Sequence, residues 1–207
     1  MKIFDRLDET LSHKPKIKVL RFLAIGKGEY TGRGIARAVG MSASSIHQIL
    51  QEMKDENLVV VRKIGNAILY KIYAENYIIK NLIMPLFEKE KRIYDDLVLL
   101  IKKQLKEGKD EISCVAVFGS VAQRKETAKS DLDLVVITKT KKGKTKIDKL
   151  MDNLSISLAN KFQVLLSPYI LGYDEIKKMN TKKSALVRNI LKNNRLIDGE
   201  PIERILA

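Results

Sequence analysis

Apolar residues recur every three or four positions in three segments near the start of this 207-residue chain. This spacing predicts helices over 17–24, 31–39 and 42–53, because it places the apolar side chains on one helical face. The threonine and the serine that open the last two segments are expected to cap them, and Gly40 suits a left-handed helix end. The segment therefore has the pattern of a helix-turn-helix.

β-prone runs follow these helices and recur in the second half of the chain. Residues 58–64 and 67–73 flank Gly65-Asn66, a dipeptide typical of tight hairpin turns, and predict a two-stranded wing. Farther along, the apolar runs 112–118 and 130–137 predict buried strands, with a turn and a short helical segment between them. The second half is therefore expected to form a sheet.

Between these halves, apolar stripes over 77–86 and 93–105 predict two helices, or one helix kinked near Pro85. Such a long apolar face needs a partner, because its exposure to water is costly. The partner is either the adjacent domain or the same helix of a second subunit, and the sequence leaves both open. A homodimer is expected if the protein binds a palindromic DNA site.

The amino-terminal pattern, over residues 14–73, resembles the winged helix-turn-helix regulators of prokaryotes. The resemblance implies binding to double-stranded DNA through the third helix and the wing. The expected DNA-binding residues are Ser42, Ala43, Ser44, Ser45, His47, Gln48, Arg62, Lys63 and Asn66. The alternative is that the serines only cap the helix and that the wing charges form an ordinary solvated face. For the segment as a whole, DNA binding is the favoured interpretation.

Composition narrows the classes of protein to which the chain can belong. Hydrophobic residues make up 45% and charged residues 31%, as in globular proteins, and the net charge of +14 favours an anionic partner. The apolar runs are shorter than the roughly 20 residues that cross a bilayer, and acids near the start do not fit a signal peptide. We therefore expect a cytoplasmic protein without a membrane segment. Cys114 is the single cysteine, which excludes an internal disulfide.

Two aspartates in the second half form the strongest candidate for chemistry. Asp131 and Asp133 are two positions apart on a predicted strand, so both carboxylates point to the same face. Their mutual repulsion is relieved by a divalent cation, and Mg²⁺ prefers such oxygen ligands. Gly119 permits a close backbone approach, and Ser120 offers a donor to phosphate oxygens at the start of a helix.

Over residues 110–205 the chain resembles the DNA polymerase beta-like nucleotidyltransferases, in particular the minimal group. The signature of that group is Gly-Ser, a spacer of fixed length ending in Ser, and Asp-x-Asp. Here it is Gly119-Ser120, a spacer ending at Ser130, and Asp131-Leu132-Asp133. One departure is Arg124, where the family usually has a second glycine.

This second resemblance implies two-metal transfer of a nucleoside monophosphate, with Mg²⁺ and a nucleoside triphosphate, expected to be ATP. Asp131 and Asp133 would be the catalytic metal ligands, and Gly119, Ser120 and Ser130 would bind the nucleotide. In the family, a third carboxylate on the next core strand usually completes the site. That strand is expected over 161–171, which contains no acidic residue. Gln163 or Ser167 could replace the ligand, Asp174 could enter from the following loop, or the domain could bind a nucleotide without turnover.

Lysines cluster just after the strand that carries the two aspartates, between Lys139 and Lys149. They could grip a triphosphate or a polyanionic acceptor, but a solvated lysine-rich loop is the favoured interpretation. A second basic group, expected on a late helix, comprises Lys182, Lys183, Arg188, Lys192 and Arg195. The same interpretation applies to it.

Together these patterns predict an α/β (α+β) protein in three parts. They are a winged helix-turn-helix over 1–75, a stretch over 76–109 that is either a helical connector or a dimer helix, and a nucleotidyltransferase-like domain with a mixed sheet flanked by helices over 110–207. The first functional hypothesis is a transcriptional regulator that binds a magnesium nucleotide and transfers its monophosphate to a protein or small-molecule hydroxyl. The alternatives are a non-catalytic nucleotide-sensing transcription factor and an autoregulating antitoxin.

Overall fold

The helices and the hairpin of the amino-terminal half pack around one apolar core in the computed structural model, which describes residues 4–207. The chain forms two compact units, Met1–Ile93 and Tyr94–Ala207. The elements of the first unit are α1 (Arg6–Thr10), α2 (Lys14–Gly26), β1 (Tyr30–Thr31), α3 (Gly32–Val39), α4 (Ala43–Asp55), β2 (Val59–Ile64), β3 (Ala67–Ile72), a π-helical segment (Ile79–Ile83) and α5 (Met84–Lys91).

Local polar contacts start and stop the helices of the helix-turn-helix as the sequence predicts. The backbone N–H of Gly34 donates to the Thr31 hydroxyl at the start of α3, at 3.1 Å. The N–H of Ser45 donates to the Ser42 hydroxyl at the start of α4, at 3.2 Å. Between them, Gly40 has a φ of +69°, the left-handed conformation expected of a residue that ends a helix.

A three-stranded sheet accompanies these helices, in the order β1-β3-β2. β2 and β3 pair antiparallel and form the predicted wing. β1 pairs with β3 through Tyr30 and Tyr70, a contact that the sequence analysis did not predict because a two-residue strand has no periodicity. With α3 and α4 as the helix-turn-helix, this arrangement is a winged helix-turn-helix.

The second unit is built on a four-stranded mixed sheet. Its elements are α6 (Ile93–Gln104), a 3₁₀ helix (Lys106–Glu111), β4 (Ile112–Phe118), α7 (Gly119–Ala122), β5 (Leu132–Thr138), α8 (Lys141–Phe162), β6 (Leu166–Gly172), α9 (Tyr173–Thr181), α10 (Ala185–Lys192), β7 (Asn194–Gly199) and α11 (Ile202–Leu206). The strand order is β6-β5-β4-β7, with β5 and β6 parallel and the other pairs antiparallel. The expected mixed sheet flanked by helices is confirmed.

Side chains alternate between the two faces of this sheet and contribute to two cores. Leu132, Leu134 and Val136 of β5 pack with residues of α6 and α8. Val135 and Ile137 pack on the opposite face with residues of α9, α10 and α11. Because β5 is covered on both sides, its first residues are held in a fixed position at the edge of the core.

Several boundaries differ from the prediction. The strand expected over 161–171 begins only at Leu166, because α8 continues to Phe162 and ends in a left-handed residue at Gln163. The lysine-rich segment from Lys141 is not a loop but the start of α8. Arg195 belongs to β7 rather than to the late helix.

The stretch 76–109 is shared between the two units. Ile79, Ile83 and Phe87 belong to the core of the first unit. Leu97 and Ile101 belong to a core of the second. Much of the apolar face that the sequence analysis assigned to a connector is therefore buried inside the units. Within residues 4–207, no helix is both long enough and apolar enough to cross a membrane.

Candidate functional site

The turn between β4 and α7 brings the backbone of Gly119 against a carboxylate. β4 is buried from Cys114 to Phe118, and Gly119 follows with a φ of +70°. A Cβ atom built on Gly119 would lie 2.1 Å from Oδ2 of Asp133. Only glycine fits at this point, both because of the left-handed backbone and because Asp133 occupies the space of a side chain.

The two aspartates lie at the start of β5. Asp131 precedes the strand and is exposed, whereas Asp133 lies within it and is half-buried. Asp133 alternates with Leu132 and Leu134, so it points to the face opposite to theirs, as predicted. Burial, and secondly the negative charge of Asp131, raise the pKa of Asp133. Among residues 4–207, Asp133 forms no ion pair, so a bound cation would offset its negative charge.

The neighbouring strand places a hydroxyl rather than an acid beside this pair. β6 runs parallel to β5, and Ser167 is in register with Asp133. Gln163 precedes the strand and its side-chain amide donates to the Asn160 carbonyl, at 3.3 Å. β6 ends at Gly172, roughly 17 Å from Ser167 at the usual rise per strand residue, and Asp174 follows this far end of the strand in α9. Residues 4–207 contain no group of three His, Cys, Asp or Glu side chains that could hold a metal ion.

Hydrogen bonds close the loop from α7 to β5. The N–H of Thr127 donates to the Ser130 hydroxyl oxygen at 2.9 Å, and the N–H of Lys125 donates to the Ser120 carbonyl at 3.0 Å. Ser130 therefore stabilises the loop that positions Asp131. Arg124 has a φ of +56°, which accounts physically for the glycine usual at this position in the family that the motif resembles.

Arg195 supports the same turn from the other side of β4, and the sequence analysis did not assign it to the site. Its Nε donates to the carbonyl of Ala122, the last residue of α7, at 2.8 Å. Its guanidinium lies 5.5 Å from the centroid of the Tyr94 ring. No local sequence signal connects residues 122 and 195, since their proximity depends on the pairing of β4 with β7.

The residues that form this site coincide with a recognised domain. Residues 100–200 match the family described as "Polymerase beta, Nucleotidyltransferase". They form a nucleotidyltransferase domain of the polymerase beta type. Gly119, Ser120, Asp131 and Asp133 all lie inside the matched range. No curated protein matches the chain.

Outside the nucleotidyltransferase domain, α4 exposes the face that the sequence predicts for DNA binding. Ile46, Ile49 and Leu50 are buried, so the opposite side of the helix is free. The exposed predicted residues of the helix and wing are Ser42, Ala43, Ser44, Ser45, His47, Gln48, Arg62, Lys63 and Asn66. The nearest carboxylate oxygen to Arg62 belongs to Glu29, at 3.9 Å, which is a weak surface pair.

Two arginines that the sequence analysis did not assign lie next to this face. Arg33 and Arg37 are four residues apart on α3 and both are exposed. With Met41 and Ser42 they line an open groove of about 580 Å³ at the turn between α3 and α4. The sequence contained a signal for them, because two basic residues four positions apart lie on the same face of a helix. That helix directly precedes the predicted recognition helix.

Several solved structures are similar to parts of the chain. One is described as the predicted DNA-binding transcriptional regulator from E. coli, at 27% identity over 42% of this chain and 85% of that chain, with a TM-score of 0.36. Another is the homodimeric winged helix-turn-helix DNA-binding domain Mb0332 from Mycobacterium bovis. It is 27% identical over 44% of this chain and 77% of that chain, with a TM-score of 0.34. A structure described as a toxin-antitoxin with AMP-PNP matches at 16% identity. The match covers 53% of this chain and 80% of that chain, with a TM-score of 0.35.

Proposed function

We propose that this protein is a DNA-binding transcriptional regulator whose nucleotidyltransferase domain binds a nucleoside triphosphate, expected to be ATP, together with Mg²⁺. The contact between Gly119 and Asp133 carries the nucleotide part of the proposal. It combines a backbone that a phosphate can approach closely with a half-buried carboxylate in need of a counter-charge. The family match supports the same assignment.

The residues present fit a magnesium nucleotide. Asp131 and Asp133 would supply carboxylate oxygens, the ligand type that Mg²⁺ prefers when it also binds phosphates. Bound Mg²⁺ would offset the two negative charges and the charge of the phosphate oxygens. Ser120, with its hydroxyl and the backbone of the turn, would donate hydrogen bonds to those oxygens. Because Gly119 has no side chain, the carboxylate of Asp133 can lie directly against the backbone of the turn.

Calorimetric titration of ATP with Mg²⁺ tests this site. The Asp131→Asn/Asp133→Asn double variant should lose binding, because it removes both negative charges while keeping side-chain size. Asp148→Asn/Asp152→Asn is the matched control, since it makes the same charge change on the exposed face of α8. Equal affinity in the two double variants would reject the nucleotide site.

The DNA-binding part of the proposal rests on the exposed face of α4 and the basic groups around it. Arg62 and Lys63 on the wing, and Arg33 and Arg37 on α3, flank the recognition helix with positive charge. Phosphate contacts of this kind position a protein on duplex DNA, and small polar side chains of the recognition helix reach the base edges. Double-stranded DNA is therefore the proposed partner.

The salt dependence of duplex binding measures the phosphate contacts directly. Log affinity falls as log salt concentration rises, and each phosphate contact makes this fall steeper by about 0.9. The Arg62→Ala/Lys63→Ala variant should therefore have a slope that is shallower by about two. Lys89→Ala/Lys91→Ala removes two exposed charges from α5 and should leave the slope unchanged. An unchanged slope for the wing variant would contradict the proposed surface.

Transfer of the nucleoside monophosphate is a second candidate function, favoured by the family match and by the paired aspartates. The oxygen of an acceptor hydroxyl on a protein or small molecule would lose its proton and bond to the α-phosphorus, and pyrophosphate would leave. Ser167, in register with Asp133, is the observation against efficient transfer. Incubation with ATP labelled at the α-phosphate distinguishes transfer from nucleotide binding alone. Only transfer leaves label on an acceptor, and this label should be absent when Asp131 and Asp133 are replaced.

A further inference from the structure

A pocket lies on the face of the sheet opposite to Asp133. Its volume is about 320 Å³, and it lies where α6 and the 3₁₀ helix meet β4 and β7. Val115 of β4 and Ile197 of β7 line it, and both belong to the core that contains Leu132 and Leu134. The pocket is therefore separate from the site built on Asp131 and Asp133.

The inner wall of the pocket is apolar. Ile101, Leu105, Val115 and Ile197 form it, and each of these residues is buried. Its volume lies at the lower end of the range typical of small-molecule sites, which are lined mainly by hydrophobic side chains. A ligand that fills it would have an apolar body.

The rim of the pocket is charged and unpaired. Lys102, Lys106 and Lys109 line it, and Lys102 and Lys106 are four residues apart at the end of α6 and the start of the 3₁₀ helix. Their ammonium groups make no hydrogen bond or ion pair within the described part of the chain. Three unpaired positive charges around an apolar wall favour an anionic group at the mouth of the pocket.

A bulge adds one carboxylate to this lining. Ile197 and Asp198 are consecutive on β7, yet both line the pocket, whereas consecutive residues of a regular strand point to opposite faces. The pairing of β4 with β7 shifts register between Val115 and Ala116, and bulges of this kind redirect side chains, often at functional sites. Asp198 thus offers a hydrogen-bond acceptor opposite the lysines.

We propose that this pocket binds a small organic anion with an apolar body and a hydroxyl or amino donor. Lys102 and Lys106 bind the anionic group, the apolar wall holds the body, and Asp198 accepts the hydrogen bond. The ligand class follows from this order of chemical groups across the pocket, and it does not depend on nucleotide binding in the same domain.

The test uses 4-hydroxybenzoate, which has a carboxylate, an apolar ring and a hydroxyl group, and the isoleucine δ1-methyl NMR signals of the full chain. Ile101, Ile112 and Ile197 line the pocket, and their signals, assigned through single Ile→Val variants, should shift saturably. Acetate lacks the ring and phenol lacks the carboxylate, so each should bind about tenfold or more weakly.

Charge variants decide the role of the rim. Lys102→Gln/Lys106→Gln should weaken 4-hydroxybenzoate binding about tenfold, as expected for two partly exposed ion pairs. Lys103→Gln/Lys178→Gln makes the same charge change outside the pocket and should not alter affinity. Asp131→Asn/Asp133→Asn should also leave it unchanged. Absence of saturable shifts at the three isoleucines, equal binding of phenol, or equal effects of the two lysine pairs would overturn the proposal.

Discussion

The carboxylate of Asp133 fills the space in which a side chain at Gly119 would begin, with Oδ2 only 2.1 Å from the position of a Cβ atom. Fourteen positions separate the two residues in the sequence, and the pairing of β4 with β5 brings them together. Any side chain at position 119 would displace the half-buried acid of the candidate site.

Gly119→Ala should therefore weaken magnesium–ATP binding by at least about tenfold, since it moves Asp133 as well as straining the turn. The matched control is Gly40→Ala, because Gly40 has nearly the same φ, +69°, but open space around its Cβ position. Both variants should lose roughly 1–2 kcal/mol of unfolding free energy from the left-handed backbone. Calorimetry with ATP should distinguish them, and similar nucleotide affinities would show that the contact with Asp133 is unimportant.

Ser167→Asp should strengthen Mg²⁺ binding and increase any transfer of labelled monophosphate. The new carboxylate would lie in register with Asp133, where the structure has a hydroxyl. A third negative charge stabilises a bound divalent cation and, without the cation, further raises the pKa of Asp133. Ser167→Asn keeps the size but not the charge and should resemble the unmodified protein. Unchanged Mg²⁺ affinity in Ser167→Asp would indicate that Ser167 lies outside the metal site.

Arg195→Gln should lower both thermal stability and nucleotide affinity. The change removes the hydrogen bond from Nε to the Ala122 carbonyl and the packing on Tyr94, so the end of α7 loses its support. Hydrogen bonds from charged groups contribute about 1.5–3 kcal/mol. Arg188→Gln, at an exposed position of α10, makes the same substitution without these contacts. A thermal melt and an ATP titration of both variants measure the effect, and a stable Arg195→Gln with full affinity would contradict it.

Cys114 should resist thiol reagents until the protein unfolds. Its side chain is fully buried, and burial, followed by Glu203 and Glu200, raises the pKa of the thiol to about 12. Above its ordinary pKa of 9.0, the unfolded thiol loses its proton while the folded one keeps it. Unfolding is then favoured, so stability should fall as pH rises from about 9 towards 12. Urea unfolding across this pH range should show that the free energy of unfolding falls more steeply for the unmodified protein than for Cys114→Ala. Labelling of Cys114 by a thiol reagent in the folded protein would contradict its burial.

Local chemistry explains which elements could be predicted from the sequence. The hydroxyl caps at Thr31 and Ser42 act within three residues, and the wing follows from a turn dipeptide between two β-prone runs. The Gly-Ser and Asp-x-Asp elements are likewise contiguous, so the face on which Asp133 lies follows from strand alternation. These features depend on near neighbours in the chain.

The remaining features depend on contacts between distant residues. Ser167 comes next to Asp133 only through a parallel pairing across a 22-residue helix, and the start of that strand was predicted five residues too early. Arg195 reaches Ala122 only because β7 pairs with β4. The shared stretch 76–109 also divides according to which core its apolar residues join, which periodicity alone does not determine.

Pro168 lies on β6, an edge strand of the second sheet, immediately after Ser167. The Leu165 carbonyl accepts from Leu132 of β5, so by alternation the backbone of Pro168 faces away from β5. Proline has no N–H to donate, and a strand from another molecule would lack a partner there. Pro168 therefore disfavours pairing of another strand along the outer edge beside the two aspartates, which reduces the risk of edge-to-edge aggregation.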